Sequence, residues 1–375
     1  MTTAKPVVVY GASGYTGRLI CEYLREYNVP FIAAGRDKRR IQETIDKIPG
    51  IETADYEVVE VSHEVESLTE LFSSAKVVCN TVGPFSKYGH EVVEACIRAG
   101  AHYLDTTGEQ DWLIECDETY GERMGEHGLL LAPGVAQMYT TGEIAANICL
   151  ETPGLDTLDI LVFWRGFPTV ASTRTILVNA ALSKAHYLEQ NRYLEWPADG
   201  GLYDVTVPGQ HEAGLALPWG GTSHPVWFKR DPRVANVKAL GGVFDRQLMQ
   251  GVPLIVKAVV EQIQGLPDSE KYKILDEQAA AVRSEMPPRE NPRINTSMDS
   301  VHASGPLGRA HCVIHGNSNY KQTGLLQAFS VYSLLQQAPK RVGFASACQA
   351  FGHRELLGVL RSFGLVLEPI HSVYS

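Results

Sequence analysis

Short apolar runs and helically spaced apolar residues take turns along the chain from Val7 to about residue 135. Val7–Tyr10 is an unbroken apolar run, the pattern of a strand buried on both faces. Tyr15–Tyr27 follows, with Leu19, Ile20, Tyr23 and Leu24 at helical spacing. The same reading predicts strands at Phe31–Ala34, Tyr56–Val61, Val77–Asn80, His102–Asp105 and Leu129–Ala132. Between them it predicts helices at Lys38–Ile48, Glu64–Ser73, Glu91–Ala99 and Gln110–His127, with Gly100 closing the third. Strands alternating with helices imply right-handed crossovers and a parallel sheet.

The pattern changes near residue 140. Thr141–Leu150 begins as a helix. Strands are then expected at Leu158–Trp164, Thr173–Leu177, Tyr203–Val207, Val226–Lys229 and Ala310–His315, between loops containing Gly and Pro. Ser284–Ser304 is polar and Pro-containing and reads as a long loop. Leu325–Gln337 and Glu355–Ser362 are helical. The expected class is α/β, with an N-terminal doubly wound parallel sheet in residues 1–137. A second α+β domain on a mixed or antiparallel sheet occupies residues 138–320 and serves substrate binding or dimerisation. Helices in residues 321–375 are expected to pack back on the first domain.

Composition narrows the function classes. A chain of 375 residues exceeds one ordinary core, and 44% hydrophobic with 20% charged residues is an ordinary globular balance. A net charge of −10 without a block of Lys or Arg points away from nucleic acid. The seven cysteines are scattered and form no CxxC, so they read as free thiols packed in a core in a reducing compartment. Met1 is followed within a few residues by a strand, leaving no room for a signal peptide. The longest apolar stretch is broken by Pro133, Gly134 and Glu143, so no membrane span is expected and the cytoplasm is the expected location. His311 and His315 share a strand face but stand roughly 13 Å apart along it. There is no HExxH, and no metal is expected.

The chemistry is concentrated at strand ends. In VVVYGASGYTGRLICEYL, Gly11, Gly14 and Gly17 lie between the first strand and the first helix. Gly11 permits the sharp turn, Gly14 lets backbone amides reach a pyrophosphate, and Gly17 lets the helix approach the strand. Ser13, Tyr15 and Thr16 add donors, and the helix N-terminus favours the anion. This is the dinucleotide turn of a Rossmann domain. The second strand ends in FIAAGRDKRR. Arg36 stands where an NAD site carries a carboxylate, and a guanidinium suits a 2′-phosphate, so the expected cofactor is NADP. Asp37 either reaches the ribose or caps the next helix. The fourth strand ends in Thr81, Val82, Gly83, Pro84, Phe85 and Tyr88, and the fifth in Asp105, Gly108 and Glu109. These residues are expected to line the cofactor. Tyr139, Tyr88 and Glu109 are the candidate proton donors. In the second domain Trp219, His224, Trp227 and Phe228, with Trp164 and Phe167, are candidates for an apolar pocket. Arg165 and Arg174 are candidates for a substrate carboxylate.

GASGYTG, the AAGR strand end, NTVGPFSKYGHEVVEACIRAGAHYLDTTGE and the APGV turn resemble the saccharopine dehydrogenase-like oxidoreductases. That group includes saccharopine reductases and trans-acting enoyl reductases. The resemblance covers the first 135–150 residues and implies NADPH-dependent hydride transfer to a small-molecule substrate. The enoyl reductase branch usually shows a Gly-Phe-Asp-Ser-type turn after the sixth strand, where this chain has PGVAQMYTTGE, which leaves the acceptor open. The first expectation is reduction of an activated C=C in an apolar or aromatic molecule. The alternatives are C=N chemistry on an amino acid and a non-catalytic NADP-binding regulator. An open sheet face in the second domain is compatible with a homodimer.

Overall fold

The computed structural model describes residues 5–197, 201–219, 222–281 and 286–374. Its first stretch runs β1 (Val7–Tyr10), α1 (Tyr15–Glu26), β2 (Phe31–Gly35), α2 (Lys38–Ile45), β3 (Tyr56–Glu60), α3 (Val65–Phe72), β4 (Val77–Asn80), α4 (Phe85–Ala99) and β5 (His102–Asp105). It continues with α5 (Gln110–Glu115), α6 (Gly121–Glu126), β6 (Leu130–Ala132) and α7 (Gln137–Cys149). Then follow β7 (Thr157–Trp164), α8 (Val170–Leu182), β8 (His186–Glu189), β9 (Arg192–Glu195), β10 (Tyr203–Val205), β11 (Gly214–Ala216), α9 (His224–Phe228) and β12 (Asn236–Val243). The remainder is α10 (Arg246–Ile263), α11 (Asp268–Ala281), β13 (Thr296–Gly305), β14 (Gly308–Asn317), α12 (Asn319–Gln336), β15 (Gly343–Phe344), α13 (Ala347–Phe351), α14 (His353–Ser362) and β16 (Ile370–Tyr374).

The chain divides into two compact units. The first takes the chain up to Thr107, then Trp112–Thr140 and Tyr320–Phe363, and the second takes Gly108–Asp111, Thr141–Asn319 and the chain from Gly364. The first unit holds a seven-stranded sheet in the order β15-β6-β5-β4-β1-β2-β3, with every pair parallel. β1, β2 and β4 are buried along their whole length, as a parallel sheet covered on both faces requires. Strand order reverses between β1 and β4, and ligands of open α/β sheets bind beyond the carboxyl ends at such a point. α4 starts at Phe85, six residues before the expected Glu91. Its buried Phe85, Gly89, Val92, Val93 and Cys96 keep helical spacing, but the polar Ser86-Lys87 step interrupts the pattern in the sequence.

The second unit is built on a mixed sheet in the order β16-β14-β13-β7-β12-β8-β9. β7 and β12 are parallel and the other neighbours antiparallel. Three expectations fail here. Thr173–Leu177 lies inside helix α8, whose N-cap Thr169 accepts from Ser172 N. Leu177 and Val178 pack there with Val259, Leu275 and Ala279, so tertiary burial overrides the β-branched run. Val226–Phe228 belongs to the short helix α9, which has Pro225 in its first turn. The expected loop at Ser284–Ser304 contains β13 from Thr296 onward; Ser284 and Glu285 lie outside the described residues. β13 is polar yet central, with Ser297, Asp299 and Ser300 all buried. The tail also divides: residues from Gly364 join the second unit, and β16 pairs with β14.

All seven cysteines are free and buried. Among the described residues no helix is long and apolar enough to cross a membrane.

Candidate functional site

β1 runs into the glycine turn with Gly11 at φ +91°, a conformation that disfavours other L-residues. A Cβ on Gly11 would stand 2.5 Å from Thr81 Oγ1 and 2.9 Å from Val82 Cγ2. A Cβ on Gly17 would stand 2.5 Å from Gly11 O and 2.9 Å from Ala12 Cα, both backbone atoms that side-chain motion does not clear. Both glycines are therefore required for this packing. Gly11 N donates to Ala34 O at 2.9 Å and Gly14 N to Gly11 O at 2.9 Å, which holds the turn. α1 receives no side-chain cap at Gly14. Arg18 N bonds Gly14 O, so the amides of Tyr15, Thr16 and Gly17 precede the helical ladder. No acidic residue lies in this first turn, and the dipole favours an anion there. The turn fits a dinucleotide pyrophosphate. Ser13 and Thr16 are half-buried beside it.

At the end of β2, Arg36 is exposed. Asp37 caps α2 by accepting from Arg40 N at 2.9 Å, which ties one carboxylate oxygen into helix capping. Tyr10 O–H and His63 Nδ1 are 2.9 Å apart, His63 Nε2 lies 3.3 Å from a Glu91 carboxylate oxygen, and the Tyr88 ring meets His63 edge-on at 5.4 Å. Burial pushes the Tyr10 phenol up to about 12, opposed by the Arg36 charge, with Glu91 adding to the rise. Tyr88 thus belongs to a cluster whose tyrosine feels Arg36. His63 and Glu91 carry no glycine or strand-end signature, and the sequence alone does not single them out.

The β4 end is held from within. Thr81 Oγ1 donates toward Tyr10 O at 3.0 Å and Gly11 O at 3.1 Å, and Val82 N donates to Asn80 Oδ1 at 2.9 Å. The Gly83–Pro84 peptide is cis, and Phe85 opens α4. The buried carboxylate of Asp105, expected at the cofactor, accepts from Tyr103 O–H (2.8 Å), Thr107 N (2.9 Å), Gly134 N (2.8 Å) and Trp112 Nε1 (3.0 Å). These four donors occupy both oxygens, so Asp105 ties the β5 and β6 ends together. Burial raises it to about 6 against the pull of those donors. Tyr139 is half-buried in the first turn of α7. Gly108 and Glu109 fall in the segment belonging to the second unit, where Asn179 Nδ2 donates to Gly108 O at 2.8 Å and Glu109 is buried and engaged.

Within the second unit, Trp227 and Phe228 are fully buried core, whereas Phe167 is 70% exposed. Arg174 pairs with Asp276, and Arg165 lies over the Phe244 ring at 5.2 Å. Trp164 and His224 mark a different feature. Ser297 is the register partner of Trp164, and Asp299 lies two residues along β13 on the same face. Trp164 Nε1, Ser297 Oγ and both Asp299 oxygens are buried without a hydrogen-bond partner in the protein. Leaving one such group unsatisfied costs about 1–3 kcal/mol. Burial pushes the Asp299 carboxyl up to about 8; the Thr141 hydroxyl opposes this without a hydrogen bond of normal geometry. Across from the row, a Cβ on Gly142 would stand 2.8 Å from His224 Nε2 and 3.4 Å from Asp299 Oδ1. Sequence reasoning missed Ser297 and Asp299 because their polarity reads as loop.

Residues 7–126 match the saccharopine dehydrogenase NADP-binding domain, and residues 140–375 match a family of unknown function, DUF5938. A lipid droplet localized protein of Caenorhabditis elegans is 35% identical over 131 residues, 33% of this chain and 31% of that protein. A trans-acting enoyl reductase of Mycobacterium ulcerans is 33% identical over 132 residues, 34% of this chain and 32% of its own. The human saccharopine dehydrogenase-like oxidoreductase is 32% identical over 139 residues, 33% of this chain and 32% of its own. The chain thus spans about a third of the length of these relatives.

Proposed function

Because the chain belongs to the family of unknown function DUF5938 and carries a saccharopine dehydrogenase NADP-binding domain, we propose that it is an NADPH-dependent oxidoreductase reducing an activated C=C of an apolar or aromatic small molecule. The observation that carries this reading is the glycine turn, where Gly11 and Gly17 leave no room for side chains and three amides precede the α1 ladder. Those amides hold the pyrophosphate, and Arg36 takes the 2′-phosphate. Asp37 is engaged as a helix cap, which favours the phosphate-bearing cofactor over one bound through a carboxylate. Val82, Gly83, Pro84 and Phe85 line the dinucleotide. Tyr88, clustered with His63 and Tyr10, belongs to the adenosine end of the site and not to proton transfer.

Bound NADPH supplies a hydride, and the protein supplies orientation and a proton. Reduction of a conjugated C=C–C=O needs donors at the oxygen and an acid for the α-carbon. Tyr139 is the first candidate acid and Glu109 the second. The similarity to trans-acting enoyl reductases supports the C=C acceptor. Arg165 and Arg174, both engaged with other side chains, weigh against an amino-acid C=N substrate held by its carboxylate. The reading also places the protein in the cytoplasm as a homodimer through the second unit, which cell fractionation and light scattering test.

The direct test is NADPH oxidation followed against panels of enones, imines and ketones. Turnover with enones, lowered at least about tenfold in Tyr139→Phe, is the expected result. Preferential turnover of imines would move the protein to amino-acid chemistry. Silence across all three panels with NADPH still bound would make it a cofactor-sensing regulator.

A further inference from the structure

We infer that the second unit carries a closed polar site, formed by Trp164, Ser297, Asp299 and His224, that binds the carbonyl oxygen of a neutral ligand. The inference stands on the second unit alone and does not depend on the reductase reading.

Three neighbouring side chains on one face of the β7–β13 pair present buried polar atoms that make no hydrogen bond of normal geometry within the protein, with only the Thr141 hydroxyl acting on Asp299. Asp299 is 0% exposed, Ser297 3% and Trp164 9%, so bulk water does not satisfy them either. Buried polar groups in native proteins are almost always paired, and an isolated exception is ordinary. Three in register on one face point to a ligand that supplies the partners. Gly142 of α7 packs directly beside the row: a Cβ there would stand 2.8 Å from His224 Nε2 and 3.4 Å from Asp299 Oδ1, so both atoms lie close to the α7 backbone.

The row also specifies the ligand. α7, α9, β7 and β13, which build it, contain no Lys or Arg. A carboxylate or phosphate would therefore meet no Lys or Arg from these elements and could be neutralised only by protonating the buried His224, at a high desolvation cost. Trp164 offers only a donor, Ser297 a hydroxyl, and a neutral Asp299 carboxyl both a donor and an acceptor. That set matches a ketone, enone or amide oxygen, with room for one ligand hydroxyl on the Asp299 carbonyl.

The test uses the full chain without cofactor. Cyclohexenone is the neutral probe and cyclohexanecarboxylate its anionic counterpart, each titrated calorimetrically. Ser297→Ala removes only an O–H, whereas Trp164→Phe removes the N–H together with the rest of the indole's five-membered ring and leaves a small cavity. Ser297→Ala is expected to keep or raise the melting temperature of the ligand-free protein, and each variant to weaken cyclohexenone about tenfold. The carboxylate is expected not to bind. NADPH affinity, measured in parallel, is expected to be unchanged, so failure of this site is separable from failure of the cofactor reading. Four results would overturn the proposal: no binding of cyclohexenone, equal binding to wild type and both variants, carboxylate binding as tight as ketone, or a lowered melting temperature with unchanged affinity. A crystal soaked in the ketone that shows ordered water alone on the row would overturn it as well.

Discussion

At the residue scale, two buried carboxyls behave oppositely despite similar burial. Asp105 is surrounded by four donors and Asp299 by none of normal geometry. Asp105→Ala should orphan four buried donors and cost at least about 3 kcal/mol of unfolding free energy, read by urea denaturation. Asp299 is expected to add a pH dependence above the range in which Asp105 titrates. Its ordinary value of 3.8 is raised to about 8, so the native state holds the proton more tightly than the unfolded chain. The stabilisation is whole below about 4 and is lost as pH rises through about 8. Unfolding free energy should fall with a slope of up to about 1.4 kcal/mol per pH unit between pH 6 and 8. Asp299→Asn, neutral at every pH, should flatten that slope. His224 is the titratable neighbour beside the same Gly142 backbone, so His224→Gln in the same background checks that the slope belongs to the carboxyl. An unchanged slope in Asp299→Asn would show that another group sets it.

At the element scale, legibility followed burial chemistry. β1, β2 and β4 are apolar throughout because parallel strands are covered on both faces, and their sequences say so directly. Thr173–Leu177 reads as a strand because Thr173, Thr175 and Ile176 favour extended backbone, while packing of α8 against α10 and α11 decides for helix. β13 reads as loop because Ser297, Asp299 and Ser300, all buried, are polar. Local pattern and fold disagree most at β13, where the orphaned polar atoms lie, as expected if strained or functional sites break local rules. The glycine turn, whose geometry is a sterically forced sequence requirement, was legible. Its test belongs to this scale: Gly17→Ala places a methyl 2.5 Å from Gly11 O, so α1 must move off the turn. NADPH affinity should drop at least about a hundredfold, since small misplacements of positioning groups are costly. Gly358→Ala, which meets nothing within 4 Å, is the matched control and should leave affinity unchanged.

At the scale of the whole molecule, the chain joins an NADP-binding domain of known type to a second unit from a family without an assigned function. The first was recognisable because few sequences build a turn that admits a pyrophosphate. The second was not, because its chemistry depends on which polar residues a central strand turns inward. The account rests on Arg36 reading the extra phosphate beside a glycine-lined turn. The most direct measurement is a fluorescence titration of the wild type and Arg36→Ala with NADPH and then NADH. The wild type should bind NADPH at least about tenfold more tightly, and the variant should lose that preference while keeping its NADH affinity. Equal affinities in the wild type, or a preference that survives Arg36→Ala, would contradict it.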